Sequence, residues 1–117
     1  MITNIKEFLR LYQFDISDCK IDDNNTIVPD EAFCKSINLK HVRLGDDIKI
    51  IGIRAFAECT ELESVDLPRN CIVISKQAFL NCKKIKRILI PKSVVYVADN
   101  AFEGCTDLII EYEKELS

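Results

Sequence analysis

The sequence predicts an α/β repeat solenoid, in which identical units stack as coils along one axis. Two observations support this fold. The pair Ala-Phe occurs four times, and its copies are always 23 residues apart. They begin at Ala32, Ala55, Ala78 and Ala101. Several apolar columns keep the same 23-residue period without an insertion, and each unit contains one alternating segment and one turn-forming segment. Copies that stay in register over four units indicate a stacked repeat.

The alternating segment reads L-x-x-V-x-L and predicts a short strand. Its Val and its last Leu point inward, because successive side chains of a strand face opposite sides. Pro68, Pro91 or the equivalent Gly45 follows the segment and is expected to end the pairing. The inward columns are Ile16, Leu39, Leu62, Ile85, Leu108; Cys19, Val42, Val65, Ile88; and Ile21, Leu44, Leu67, Ile90.

The second half of each unit reads I-x-x-x-A-F-x-x-C, and we expect A-F-x-x-C to form about one helical turn opposite the strand. Its first position is apolar in every unit. Its last position is Cys in three units and Ser36 in the first. The apolar column is Val28, Ile51, Ile74, Val97, and the cysteines are Cys59, Cys82 and Cys105. A single coil buries too little apolar surface to offset its ordering entropy, so the coils must stack.

Both ends of such a stack need caps. At the start, Asn4 with Glu7 resembles a capping box, and Ile5, Phe8 and Tyr12 are spaced as on one helix face. We therefore expect a capping helix over residues 1–15, followed by the solenoid over 16–117. At the other end, the strict period puts Glu111 and Glu113 in inward columns, which predicts that the strand pattern fails after Leu108 and leaves a charged edge.

The repeat, with its L-x-x-V-x-L-P and I-x-x-x-A-F-x-x-C stretches over residues 16–108, resembles the BspA-like or treponemal class of leucine-rich repeats. The resemblance implies a right-handed leucine-rich-repeat solenoid with a parallel sheet on the concave face and short helical turns on the convex side. It also implies an extended interaction surface, often on surface or secreted proteins that attach to host or matrix proteins.

Composition excludes several classes of function. A formal net charge of −3, with 16 basic and 19 acidic residues, offers no electrostatic footprint for nucleic acid. The start of the chain carries Glu7 and Arg10 within its apolar stretch, so it predicts neither a signal peptide nor a membrane-inserting segment. This favours the cytoplasm, whereas the resemblance favours the cell surface, and the location stays open between them.

Cysteine and histidine chemistry is the remaining enzymatic or metal-binding alternative. The ladder cysteines stand one whole coil apart, unlike paired zinc ligands, and a single histidine accompanies them. We expect all six thiols to be reduced and metal-free, and no cofactor. A Cys-His dyad through His41 is disfavoured because His41 flanks the inward Val42 and so points outward. The chain is therefore predicted not to be an enzyme.

The favoured function is protein or peptide binding through two outward columns of the strands. Arg43 and Arg87 are the expected anchors, since Arg binds carboxylates in a forked geometry and is enriched at interface hot spots. The candidate residues are Asp18, His41, Ser64, Arg87 on one side of the inward column and Lys20, Arg43, Asp66, Leu89 on the other. The alternative is a purely structural or oligomerising module without a dedicated ligand. We expect a monomer or a weak end-to-end dimer.

Overall fold

A computed structural model describes residues 18–21 and 26–114. Within them the chain forms a solenoid of about four coils, built from parallel strands. The strands are β1 (Asp18–Ile21), β2 (Ile27–Val28), β3 (His41–Leu44), β4 (Ile50–Ile51), β5 (Ser64–Asp66), β6 (Val73–Ile74), β7 (Arg87–Ile90), β8 (Tyr96–Val97) and β9 (Ile109–Tyr112). The predicted capping helix over residues 1–15 lies outside the described residues.

Each coil contributes to two sheets. The odd-numbered strands form the concave side, as a three-stranded sheet β1-β3-β5 and a two-stranded sheet β7-β9. The two-residue strands form a second, lateral sheet in the order β2-β4-β6-β8. Up to β8, every pairing joins residues 23 apart, such as Val42 with Val65 and Ile51 with Ile74. The period and the parallel sheet predicted from the sequence are therefore confirmed.

The concave sheet is interrupted between β5 and β7, which belong to different sheets. Pairing of β3 with β5 stops at Asp66. Pro68, two residues on, has no N–H with which to continue the ladder, and Pro91, at the same position of the repeat, directly follows β7.

The last coil corrects the expectation that the strand pattern fails after Leu108. Strand β9 is present and pairs with β7 at an offset of 22 residues: Ile88 is opposite Ile110, and Ile90 is opposite Tyr112. One residue is missing between Leu108 and the strand relative to the earlier coils. The inward column is therefore continued by Ile110, and Glu111 takes an outward position.

The expectation of helical turns on the convex side is wrong. Between residues 26 and 114 the A-F-x-x-C segments are chains of hydrogen-bonded turns and not helices. Alternate N–H groups point along the solenoid axis: Phe56 donates to the Ala78 carbonyl at 2.8 Å and Glu58 to the Leu80 carbonyl at 2.6 Å. Ala57, between them, donates back to the Arg54 carbonyl at 3.1 Å.

Backbone conformation explains why no helix forms there. Arg54 and Glu58 adopt φ values of 56° and 59°, in the left-handed region that interrupts a right-handed helix. The same two positions repeat in the other coils, as Glu31, Lys35, Gln77, Asn81 and, in the last coil, Gly104. Left-handed residues turn every second N–H toward the next coil, so the convex side also gains hydrogen bonds between coils.

The core consists of ladders of like residues. Phe33, Phe56, Phe79 and Phe102 stack with ring centroids 5.2–5.4 Å apart and planes within 7° of parallel. The inward strand columns face them, and no charged or polar side chain is among the buried residues of the described region. Each interior coil covers its neighbours, which holds the outward columns at fixed spacing.

Candidate functional site

The structure places the first predicted outward column in register across three concave strands. Asp18 pairs with His41, and His41 pairs with Ser64. Within it, the His41 Nδ1 atom lies 2.7 Å from the Ser64 hydroxyl. Both side chains are exposed, as strand alternation predicts beside the buried Val42 and Val65.

The second predicted column is also in register: Lys20 pairs with Arg43, and Arg43 with Asp66. The Arg43 Nε atom is 3.8 Å from an Asp66 carboxylate oxygen, and both groups are well exposed. This contact between coils orients the guanidinium across the concave face. It is a long surface ion pair, of a kind that contributes about 0–1 kcal/mol.

The other two predicted residues, Arg87 and Leu89, lie on β7 and so beyond the interruption. They pair with Ile109 and Glu111 of β9. The Arg87 Nε atom is 3.0 Å from a Glu111 carboxylate oxygen. The eight candidates therefore divide into six on β1-β3-β5 and two on β7-β9.

Ile109 and Glu111 are concave residues that the sequence analysis missed. The sequence does contain an alternating apolar pair, Ile110 and Tyr112, after Leu108. This pair falls in the inward columns only if the last unit is taken to be one residue shorter than the others. With them, the end of the concave face formed by β7 and β9 combines two exposed apolar side chains, Leu89 and Ile109, with the Arg87–Glu111 pair.

A cleft of about 240 Å³ opens at the interruption between β5 and β7. Its lining is mixed, with apolar side chains beside charged ones: Val65, Asp66, Leu67, Arg69, Leu89, Pro91 and Glu113. Two of the predicted residues, Asp66 and Leu89, thus line one hollow in the concave face. A partner side chain that enters it meets apolar surface and both signs of charge.

The His41–Ser64 contact is the closest approach to a catalytic arrangement among the described residues. A serine nucleophile needs an activating histidine, and also preorganised donors for the developing oxyanion in a site from which water is excluded. His41 and Ser64 instead lie exposed on an open sheet face. The pair therefore acts as a hydrogen bond between neighbouring coils.

The described ladder cysteines point into the core and bond to the preceding coil. The Cys59 and Cys82 thiols each donate to a phenylalanine carbonyl, of Phe33 and Phe56, at 3.1 Å. Burial raises the pKa of Cys59 to about 12 and the pKa of Cys82 further still. Such thiols carry almost no thiolate at neutral pH, so they are poor nucleophiles and poor metal ligands.

The described residues contain no group of three or more His, Cys, Asp or Glu side chains arranged to hold a metal ion. Their five cysteines, Cys34, Cys59, Cys71, Cys82 and Cys105, are free thiols. The redox state of all six in solution stays a prediction.

Comparison with known proteins extends this description. The sequence matches the family described as BspA type Leucine rich repeat region, in six copies over residues 3–116. The chain belongs to this family. The coil geometry agrees, since a leucine-rich repeat protein from Bacteroides capillosus superposes with a TM-score of 0.76 at 32% identity, covering 85% of this chain and 78% of that one.

Two other leucine-rich structures are much longer than this chain. A leucine-rich repeat protein from Bacteroides ovatus is 30% identical with a TM-score of 0.73, covering 81% of this chain but 30% of that one. A leucine-rich cell surface protein from Faecalibacterium prausnitzii is 26% identical with a TM-score of 0.60, covering 86% and 33%. A comparison with curated proteins finds no match. Among the described residues, no helix has the length and apolarity to cross a membrane.

Proposed function

We propose that this BspA-type chain is a non-enzymatic scaffold that binds a protein or peptide on its concave face. The observation that carries this proposal is the interrupted concave sheet, where Asp66 and Leu89 line a cleft of about 240 Å³. Arg43 and Arg87 are exposed on the neighbouring strands β3 and β7. Paired strands hold the backbone of these residues at fixed spacing, so little backbone conformational entropy is lost when a partner binds.

The two arginines supply most of the proposed affinity. Each is paired with a carboxylate of the next coil, which orients it without burying it. Exposed pairs of this kind are weak, so a partner carboxylate can displace Asp66 or Glu111 at small cost and form a forked contact with the guanidinium. Leu89 adds an apolar anchor beside them. The preferred partner is therefore an acidic segment that also carries an apolar side chain.

The cell surface is the location that we favour for this activity. The support is the Faecalibacterium prausnitzii relative, described as a leucine-rich cell surface protein. Attachment to a protein outside the cell follows as the proposed role. The competing expectation, a cytoplasmic protein, rests on the first residues of the sequence.

A structural module without a dedicated ligand is the second candidate. One observation favours it: the polar groups of the concave face satisfy one another between coils, through His41 with Ser64, Arg43 with Asp66 and Arg87 with Glu111. Mixed charge of this kind also maintains solubility.

Site-specific photo-crosslinking separates the two candidates. A photoreactive residue replaces Ser64 on the concave face or, as a control, Lys35 on the convex side, and the full chain is incubated with extract from its source. Concave binding predicts a defined crosslinked partner from position 64 and none from position 35. Crosslinking from position 35 alone contradicts the proposal, and the absence of any specific product supports the structural module.

A further inference from the structure

The concave sheet is unpaired at one boundary between coils. Strand β5 pairs with β3, and β7 pairs with β9, but β5 and β7 belong to different sheets. At the preceding boundary the Ser64 N–H donates to the Lys40 carbonyl at 3.2 Å. One period on, and well within the described residues, Arg87 makes no such bond to the Glu63 carbonyl. The ladder is therefore open between β5 and β7, and we call this the open boundary.

The same two coils are joined normally along the other two sides of the solenoid. On the lateral side β6 pairs with β8, and the Ala98 N–H donates to the Ile74 carbonyl at 2.9 Å. On the convex side the Phe79 N–H donates to the Ala101 carbonyl at 2.8 Å. The Phe79 and Phe102 rings stack at 5.4 Å, close to the 5.2 and 5.3 Å of the earlier coils. The opening is thus local to the two strands.

Side-chain contacts between the coils stand at both ends of the opening. Before the strands, the Lys84 Nζ atom lies 2.7 Å from a Glu61 carboxylate oxygen. After them, the Ser93 hydroxyl donates to the Cys71 carbonyl at 2.6 Å. These contacts keep β5 and β7 in the register of the repeat, so the strands can pair without a shift along the chain.

Proline explains why pairing fails at this boundary. Pro68 and Pro91 occupy equivalent positions in adjacent coils, at the ends of the two strands. The preceding boundary combines Gly45 with Pro68 and is paired. The following boundary is paired too, and its Glu113 N–H donates to the Ile90 carbonyl at 2.8 Å, a bond for which Pro91 has no N–H. Two prolines thus meet at the open boundary and at neither of its neighbours.

We propose that β5 and β7 form a gate in the concave face, which interconverts between an open and a closed state. In the closed state the strands pair, Arg87 donates to the Glu63 carbonyl, and the concave sheet runs unbroken from β1 to β9. In the open state these backbone groups bond to water, and the cleft of about 240 Å³ is present. Because water replaces the ladder bonds and the prolines weaken pairing, the two states lie close in free energy.

The gate regulates the proposed binding site, and this consequence rests on the proposed function. Arg43 lies on β3 and Arg87 on β7, so the gate stands between the two proposed anchors. Their ion pairs, with Asp66 and Glu111, each stay on one side of it. A partner side chain that enters the cleft beside Leu89 binds the open state alone. Its apparent affinity is then the intrinsic affinity multiplied by the open fraction.

Amide hydrogen exchange of the full chain, followed by NMR, tests the gate. The Ser64 and Arg87 amides occupy the same position of the repeat, but only Ser64 is bonded to the preceding coil. After correction for intrinsic rates, Arg87 should exchange at least tenfold faster than Ser64. Relaxation dispersion should also detect microsecond-to-millisecond exchange at the methyl groups of Leu67 and Leu89, which line the cleft.

Two substitutions should close the gate, because each copies a boundary that is paired in the same chain. Pro91→Glu reproduces the boundary at Glu113, and Pro68→Gly reproduces the boundary at Gly45. Each should slow Arg87 exchange at least tenfold and abolish the dispersion. Pro68 is fully buried, so Pro91→Glu is the primary variant, and thermal melts establish that both are folded.

The matched control is Arg69→Ala, which changes an exposed residue of the cleft and leaves both strand ends intact. Its Arg87 amide should exchange like that of the wild type. A wild type in which Arg87 is as protected as Ser64 contradicts the proposal, because the gate is then permanently closed. Fast exchange that persists in both folded proline variants contradicts it too, and so do flat dispersion profiles in the wild type. None of these outcomes bears on concave binding, which the crosslinking experiment tests separately.

Discussion

The thiol of Cys82 donates a hydrogen bond to the backbone carbonyl of Phe56, 26 residues earlier. Cys105 repeats the contact with Phe79 at 3.0 Å, and Cys59 repeats it with Phe33. The cysteine column thus combines apolar packing with a donor for a carbonyl of the preceding coil. This contact gives the period-bound cysteine column a structural role between coils.

Thiol burial predicts both reactivity and alkaline stability. Cys59 and Cys82 should react with iodoacetamide at pH 8 at least 100-fold more slowly than the partly exposed Cys34, read by peptide mass spectrometry. The pKa of Cys59 is raised from 9.0 to about 12, which means that the folded state favours the neutral thiol. This preference stabilises the folded state fully below pH 9 and is lost as pH rises toward 12. The urea midpoint should therefore fall between pH 8 and pH 10, and less so in Cys59→Ala. Equal labelling of Cys34 and Cys82 would contradict the buried ladder.

The phenylalanine stack predicts a graded cost of truncation. Phe79 is fully buried between Phe56 and Phe102, so Phe79→Ala should destabilise the protein by about 3–5 kcal/mol. Phe102→Ala is the matched control and should cost less, because Phe102 is only partly buried. Chemical denaturation measures both. An unchanged midpoint for Phe79→Ala would show that the stack does not support the fold.

Most of the architecture could be predicted because a repeat supplies the same evidence four times. The Ala-Phe pairs fixed the period, and alternation around Val42 and Val65 fixed which residues face the core. The convex turns could not be predicted, because Arg54 and Glu58 are ordinary helix formers whose left-handed φ values arise from hydrogen bonds to the next coil. Tertiary pairing overrode local propensity there.

The left-handed turns predict an unusual preference for glycine. Lys35 is exposed and has a φ of 63°, where a Cβ atom is strained. Lys35→Gly should therefore be more stable than Lys35→Ala by about 1 kcal/mol, the reverse of the order in a helix. Thermal denaturation of the two variants checks this. If the alanine variant is the more stable, the segment is helical in solution.

The shortened last coil predicts which of two adjacent isoleucines supports the fold. Ile110 continues the inward column and is 39% exposed, whereas Ile109 faces outward and is 55% exposed. Ile110→Ala should cost about 1–2 kcal/mol, and Ile109→Ala about 0.5 kcal/mol or less. Equal losses for the two variants would contradict the 22-residue offset.

The candidate site could be predicted only in part. Strand alternation and period placed His41, Arg43, Ser64 and Asp66 side by side, because register follows from the repeat. The sheet is interrupted between β5 and β7, and the cleft beside Leu89 opens there. Both features depend on how two neighbouring coils pair, which the sequence of a single unit does not determine.

The affinity of a crosslinked partner for concave-face variants tests the account most directly. Arg43→Ala with Arg87→Ala should leave folding intact, since both side chains are exposed, and should weaken partner binding by about 30-fold or more. The convex variant Lys35→Ala should bind like the wild type. Calorimetric titration that shows wild-type affinity for the concave variant, together with lost affinity for the convex variant, would contradict recognition through the concave face.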